Sequence, residues 1–176
     1  MFPALISNYQ IVPARSQDIE RIPAIELAAV KLLEPYAPES VQTEVSRYED
    51  LVTAQAEGRL WVALDVDHPV GFAHVIILES GLAHLEELDV HPTHGRRGLG
   101  SQLVKRVFEW VKRNGYPALT LTTFREPPFN MPFYKNLGFE VLSRGALTTD
   151  LHRIVDHETR RGLNPKQRAV MIWRPV

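Results

Sequence analysis

The chain has 176 residues, 44% of them hydrophobic and 23% charged, with a formal net charge of -1. That length suits one domain with a sizeable core, and the balance is that of a folded chain rather than a disordered one. The near-neutral charge gives no global field to recruit nucleic acid, and zero cysteines exclude disulfides, thiolate metal sites and a cysteine nucleophile.

One domain over 1–176 is therefore expected, in the cytoplasm. No stretch reaches the ~18 apolar residues of a membrane span. The opening Met1-Phe2-Pro3-Ala4-Leu5-Ile6 lacks the basic region of a secretory signal.

Residues 9–15 read as a short first strand, with Pro13 suggesting an edge position. Ile19, Ile22, Ile25, Leu27, Ala29, Val30 and Leu33 form a helical stripe with Ser16 placed to cap it, ended by Pro35. A second helix is predicted from Pro38 to about Glu57, stopped by Gly58. Leu60 to Val66 is a strand, Asp67-His68-Pro69 a turn, and Val70 to Leu78 the next strand. The third strand of this meander runs from about Leu82 to Val90.

A helix over 98–114 presents Leu99, Leu103, Val107 and Trp110 on one face, with Gly115 just past its end. Residues 118–123 alternate as a strand, 130–137 form a short helix, and 139–143 another strand. A helix over about 149–161 and a strand over about 169–174 close the chain. Strands in a run followed by helix, strand, helix and strand make an α/β domain with a mixed sheet and helices on both faces.

The densest signal is Asp89-Val90-His91-Pro92-Thr93-His94-Gly95-Arg96-Arg97-Gly98-Leu99-Gly100-Ser101. A strand ends, a Gly/Arg turn follows, and a helix begins at once. Such a turn aims backbone N–H groups at one point, where a phosphate or pyrophosphate binds. Gly98 and Gly100 let a ligand approach the backbone, and Arg96 and Arg97 can add charge-assisted bonds.

Two familiar phosphate signatures fail here. A P-loop needs Lys-[ST] where Ser101-Gln102 stands, and a dinucleotide fingerprint needs a third glycine where Leu103 stands. The His91-Pro92-Thr93-His94 run has neither helical i, i+4 spacing nor a third ligand nearby, so no metal is expected.

The loop closely resembles the acyl-CoA loop of the GNAT superfamily of N-acetyltransferases. Asn130-Met131-Pro132-Phe133-Tyr134-Lys135-Asn136-Leu137-Gly138-Phe139 resembles the family's second CoA segment in a shortened form, one helix and one strand downstream. The resemblance covers roughly 8–145. The family's usual Gln or Arg place in the loop falls on Gly95, with Arg96 and Arg97 adjacent to supply charge.

The resemblance implies a mainly antiparallel central sheet of about seven strands, with a splay between two parallel strands, those ending at Val90 and at Thr123. It implies acetyl-CoA as acyl donor, held by Leu88, Asp89 and Val90, by Gly95, Arg96, Arg97, Gly98, Leu99, Gly100 and Ser101, and by Asn130 and Tyr134. For Asn130 an N-cap role stands as the alternative. It further implies direct attack by a primary amine on the thioester. Tyr134 is then the general acid for the leaving thiolate. Glu86, Glu87 and His84, in that order, are the candidate bases. Adjacent strand residues point to opposite faces, so Glu87 should share a face with Leu85 and Asp89 unless a bulge intervenes.

A small-molecule acceptor is favoured over a protein, since no extended docking surface is evident. No nucleic-acid or membrane partner is expected, and dimerisation is left open. The alternative is a non-catalytic acyl-CoA-binding or regulatory domain; a longer acyl donor is a third reading.

Overall fold

The computed structural model describes residues 8–176. The reading of Met1 to Ile6 lies outside the described residues. Seven strands, β1 (Tyr9–Pro13), β2 (Leu60–Asp65), β3 (His68–Ile77), β4 (Ala83–Val90), β5 (Leu119–Phe124), β6 (Glu140–Val141) and β7 (Arg168–Trp173), form one sheet in the order β1-β2-β3-β4-β5-β7-β6. Only β4 and β5 are parallel; every other neighbouring pair runs antiparallel.

Helices cover both faces: α1 (Ile22–Ala29), α2 (Glu39–Gln42), α3 (Tyr48–Ala56), α4 (Leu99–Arg113), α5 (Met131–Asn136) and α6 (Thr149–Arg160). On one face α4 presents Leu99, Leu103, Val104, Val107 and Val111, all buried against Ala73, Val75, Leu85 and Leu121 of the sheet. On the other, Ile22 and Ile25 of α1 and Leu51 and Ala54 of α3 pack on Leu60, Val62 and Phe72. Beside them, Leu151 and Ile154 of α6 meet Leu78 and Val170. The alternation of the strands thus divides the apolar side chains between two cores.

The first long helix expected is three pieces: 3-10 turns at Ser16–Arg21 and Val30–Leu33 flank α1. Pro23 cannot donate a backbone hydrogen bond, so the α-helical ladder restarts at Ile22. Ser16 does not cap it; the Asp18 carboxylate instead accepts from the Arg15 N–H at 2.8 Å. The second expected helix also breaks, into α2 and α3. The cause is tertiary: the Ser46 N–H and hydroxyl both donate to the Glu26 carboxylate, at 3.1 and 2.5 Å. The meander turn sits at Val66-Asp67, one step before its predicted place, with Val66 at φ 57°. β6 is shorter than expected, and β7 lies between it and β5.

Two irregularities shape the middle of the sheet. β4 and β5 pair only at Ala83–Leu119 and His84–Thr120, then part. Just beyond, β4 carries a bulge: Val75 faces Leu85 and His74 faces Glu87, so Glu86 has no partner on β3. A bulge bends its strand, and this one sits where the splay begins.

Candidate active site

The splay opens a cleft of about 530 Å³. β4 and β5 form its sides, α1 and α6 its rim, and Tyr134 and Asn130 stand at its α5 end. The bulge decides which side chains line it. Leu85 and Leu88 lie on the α4 side with Val75 and Ala73. Glu87 and Asp89 pair with His74 and Phe72 and take the opposite face. Glu87 therefore does not share a face with Leu85, as simple alternation would have it. Glu86, Glu87 and Asp89 all line the cleft.

The electrostatics follow from crowding carboxyl groups into a concave wall. Burial, then the charges of Asp89, Glu26 and Glu86, raise the Glu87 pKa well above the carboxylate range. Burial and Glu26 push Asp89 up to about 8. Glu86 is solvent-exposed, and its pKa is raised by the surrounding walls, then by Glu158 and Asp50. Burial lowers His84 to about 4, so it is neutral at pH 7. Its Nδ1 hydrogen-bonds the Thr120 hydroxyl at 2.8 Å at the base of the splay. Tyr134 is buried, and burial together with Glu87 and Asp89 raises its pKa, which keeps the phenol protonated.

Asn130 does not cap α5 through its side chain. Its Nδ2 donates to Thr123 Oγ1 at 2.9 Å, which ties α5 to the end of β5. Its Oδ1 is buried and takes no donor among the described residues.

The glycine-rich turn lies past the C-terminal end of β4. Arg96 adopts φ 58° and Gly98 φ 78°, and Gly98 starts α4 in the left-handed region. The N–H groups of residues 96–101 take no backbone acceptor among the described residues, so six donors cluster at the start of a helix of 15 residues. A Cβ on Gly100 would stand 3.4 Å from Phe133 Cζ, so the two motifs expected to act together do lie against each other. Gly95 has an ordinary φ of -63°. Arg97 lies over the Tyr9 ring at 5.9 Å. The Tyr9 hydroxyl bonds His94 Nδ1 at 2.8 Å. No group of three His, Asp or Glu among the described residues is arranged to hold a metal.

Several cleft residues escaped the sequence reading, among them Glu26, Glu158 and Arg168. Glu158 and Arg168 form an ion pair at 2.8 Å that also binds the Thr122 hydroxyl, and Arg168 lies over the Phe124 ring at 4.5 Å. A signal existed for Glu26 and Glu158. Glu26 falls four residues after Ile22, and Glu158 seven after Leu151, each a charge on an otherwise apolar stripe. Arg168 opens a strand and carries no such mark.

The sequence profile described as "Acetyltransferase (GNAT) family" matches residues 26–139. The chain belongs to this family. Solved structures agree on the fold of this acetyltransferase. PaiA N-acetyltransferase from Thermoplasma acidophilum, in complex with coenzyme A, superposes with a TM-score of 0.72 at 16% identity, covering 95% of this chain and 99% of that one. N-acetylglutamate synthase from Neisseria gonorrhoeae, complexed with coenzyme A and N-acetyl-glutamate, gives 0.68 at 19% identity, covering 94% of this chain and 35% of that one. The ribosomal-protein-S18-alanine N-acetyltransferase from Escherichia coli gives 0.64 at 17% identity, covering 94% and 93%. The first of these names no acceptor, and the other two name different products or acceptors, N-acetyl-glutamate and a ribosomal-protein alanine, so the shared fold does not choose one. No helix of this acetyltransferase is long and apolar enough to cross a membrane among the described residues.

Proposed function

We propose that this acetyltransferase moves the acetyl group of acetyl-CoA to a primary amine of a small molecule by direct attack. The observation that carries the reading is the pairing of two features across one splay. Six N–H donors with no backbone acceptor among the described residues stand at one end of β4, and a cleft holding carboxyl groups and a buried phenol stands beside the strand. The residues fit the cofactor. The N–H groups of Arg96, Arg97, Gly98, Leu99, Gly100 and Ser101 suit the pyrophosphate, with Gly95 shaping the turn. The open edge of Leu88, Asp89 and Val90 suits the pantetheine amides, and the unsatisfied Asn130 Oδ1 suits an N–H donor.

Acetyl-CoA supplies an activated thioester carbonyl. The protein's share is to handle protons. A free alkylamine is mostly protonated at neutral pH and must lose a proton before attack. Glu86 and Glu87 face the cleft with raised pKa values, which makes them better proton acceptors than free carboxylates. Tyr134, held neutral, donates a proton to the departing thiolate. A small acceptor is favoured because the cleft is roofed. The segment joining α1 to α3 is tied to α6 by the Glu44–Arg161 ion pair and by Ser40 Oγ on the Arg161 carbonyl at 3.3 Å.

The test combines binding and turnover. Acetyl-CoA at ~100-fold its Kd stabilises the protein by about 2.7 kcal/mol, and ATP or NAD does not. Tyr134→Phe keeps that stabilisation and loses CoA release with an amine panel. Equal turnover in Tyr134→Phe removes the general-acid role. Binding without turnover in the wild type leaves a cofactor-binding domain.

A further inference from the structure

The middle of the glycine-rich turn, residues 96–98, must be held by something other than its own backbone. Its N–H groups take no backbone acceptor among the described residues, so the ladder that fixes a strand or a helix does not reach it. Arg96 nonetheless adopts φ 58°, a left-handed conformation that side chains disfavour. Such a conformation persists only where the surrounding structure holds it.

Two side chains that bracket Arg96 meet one residue. His94 shares a hydrogen bond with the Tyr9 hydroxyl at 2.8 Å, and its ring meets the Tyr9 ring edge-on at 5.8 Å. Arg97 lays its guanidinium over the same ring at 5.9 Å. Tyr9 comes from far away in the chain, 85 positions before His94, on the edge strand β1, which β2 and β3 separate from β4. It is registered against Asp65 of β2, whose carboxylate stands 3.9 Å from the same His94 Nδ1. The start of the turn is fixed differently: the His91 N–H donates to the Val70 carbonyl at 2.8 Å. The sheet thus fixes the end of β4, and Tyr9 grips both shoulders of the segment that follows.

Resting on the reading of this turn as the diphosphate site of the coenzyme, we propose that Tyr9 is a positioning residue for cofactor binding: by clamping His94 and Arg97 to the first strand, it holds the backbone between them in the shape that converges its N–H groups on the diphosphate. Arg97 is then an anchor through its side chain and a donor through its backbone. The two grips differ in chemistry, a hydroxyl on one shoulder and a π face on the other. Both are made in the free protein, so the turn is ordered before the ligand arrives and the diphosphate binds more tightly.

The experiment measures Kd by calorimetric titration of CoA and of 3′-dephospho-CoA into wild type, Tyr9→Phe, His94→Leu and the double variant. Tyr9→Phe removes the hydroxyl and keeps the ring. One lost neutral hydrogen bond is a factor of about two to ten, so Kd for CoA rises about fivefold. The rise is the same for 3′-dephospho-CoA, which keeps the diphosphate. His94→Leu gives a similar rise, and the double variant binds no more weakly than the weaker single, since both changes break one connection. A role in stability alone lowers the melting temperature and leaves these dissociation constants in place. The proposal is overturned by a change below about twofold in Tyr9→Phe, by single effects that multiply in the double variant, or by a loss that vanishes with 3′-dephospho-CoA. His94→Leu carries the same test if Tyr9→Phe folds poorly. A wild type that binds neither ligand removes the diphosphate reading and this proposal with it. A wild type that binds CoA no better than Tyr9→Phe does removes the proposal alone.

Discussion

Replacing Gly98 by alanine tests the turn on which the cofactor reading stands. Gly98 has φ 78° and ψ 8° at the start of α4. An added Cβ meets nothing closer than Gln102 Nε2 at 3.9 Å, so the cost is backbone strain rather than a clash. The left-handed region costs an L-residue about 1–2 kcal/mol. The lower entropy of the unfolded alanine chain offsets about 0.4–1 kcal/mol of that. A net loss of about 1 kcal/mol in a domain of this size lowers Tm by roughly 2–4 °C. Gly145 is the control. It has open space around it and no positive φ, so Gly145→Ala leaves Tm level or slightly higher. Both variants are melted alone and with saturating acetyl-CoA. Because the new methyl group has room, Gly98→Ala keeps most of the stabilisation by acetyl-CoA while the free protein melts lower. An unchanged or raised Tm for free Gly98→Ala would refute the left-handed start of α4, and with it the aim of the six N–H groups.

Further outcomes follow from the same geometry. Asp89 has its pKa raised in the folded protein to about 8, above the unfolded value of 3.8. The folded state therefore binds more protons between those values, and this group's contribution to stability is full below pH 4 and lost as pH rises through 8. Asp89→Asn flattens that decline and melts higher than wild type at pH 9; a parallel pH–Tm curve counts against it. Arg168→Met leaves Glu158 buried without its partner, and breaking such a pair costs about 3–5 kcal/mol. A denaturant midpoint within error of wild type would contradict that. Val66 is exposed and β-branched at φ 57°, so Val66→Gly relieves about 1 kcal/mol of strain and raises Tm by roughly 2–4 °C, measured by calorimetry.

Much of this protein was legible in its residues. Local chemistry marks ends: Gly115, Gly138 and Gly162 follow α4, α5 and α6 at positive φ, as their places in the sequence predict. The stripe of Leu99, Leu103 and Val107 makes α4, and the glycine turn before it is written in consecutive residues. Such features depend on neighbours within one turn of chain, and a sequence displays those directly.

Tertiary contact decided the rest. The helix expected from Pro38 to Glu57 breaks because Ser46 is drawn to a carboxylate 20 positions upstream. The face of Glu87 depends on one unpaired residue in β4, and a bulge is a mismatch between two strands, which neither strand's alternation encodes. Glu26, Glu158 and Arg168 reach the cleft from α1, α6 and β7. Their charges matter because the fold withdraws water from them together. The sequence by itself determined most strands, the later helices and the glycine turn before α4, since those rest on short-range sterics and hydrogen bonding. The structure decided which carboxylates line the cleft, since that rests on where distant segments meet.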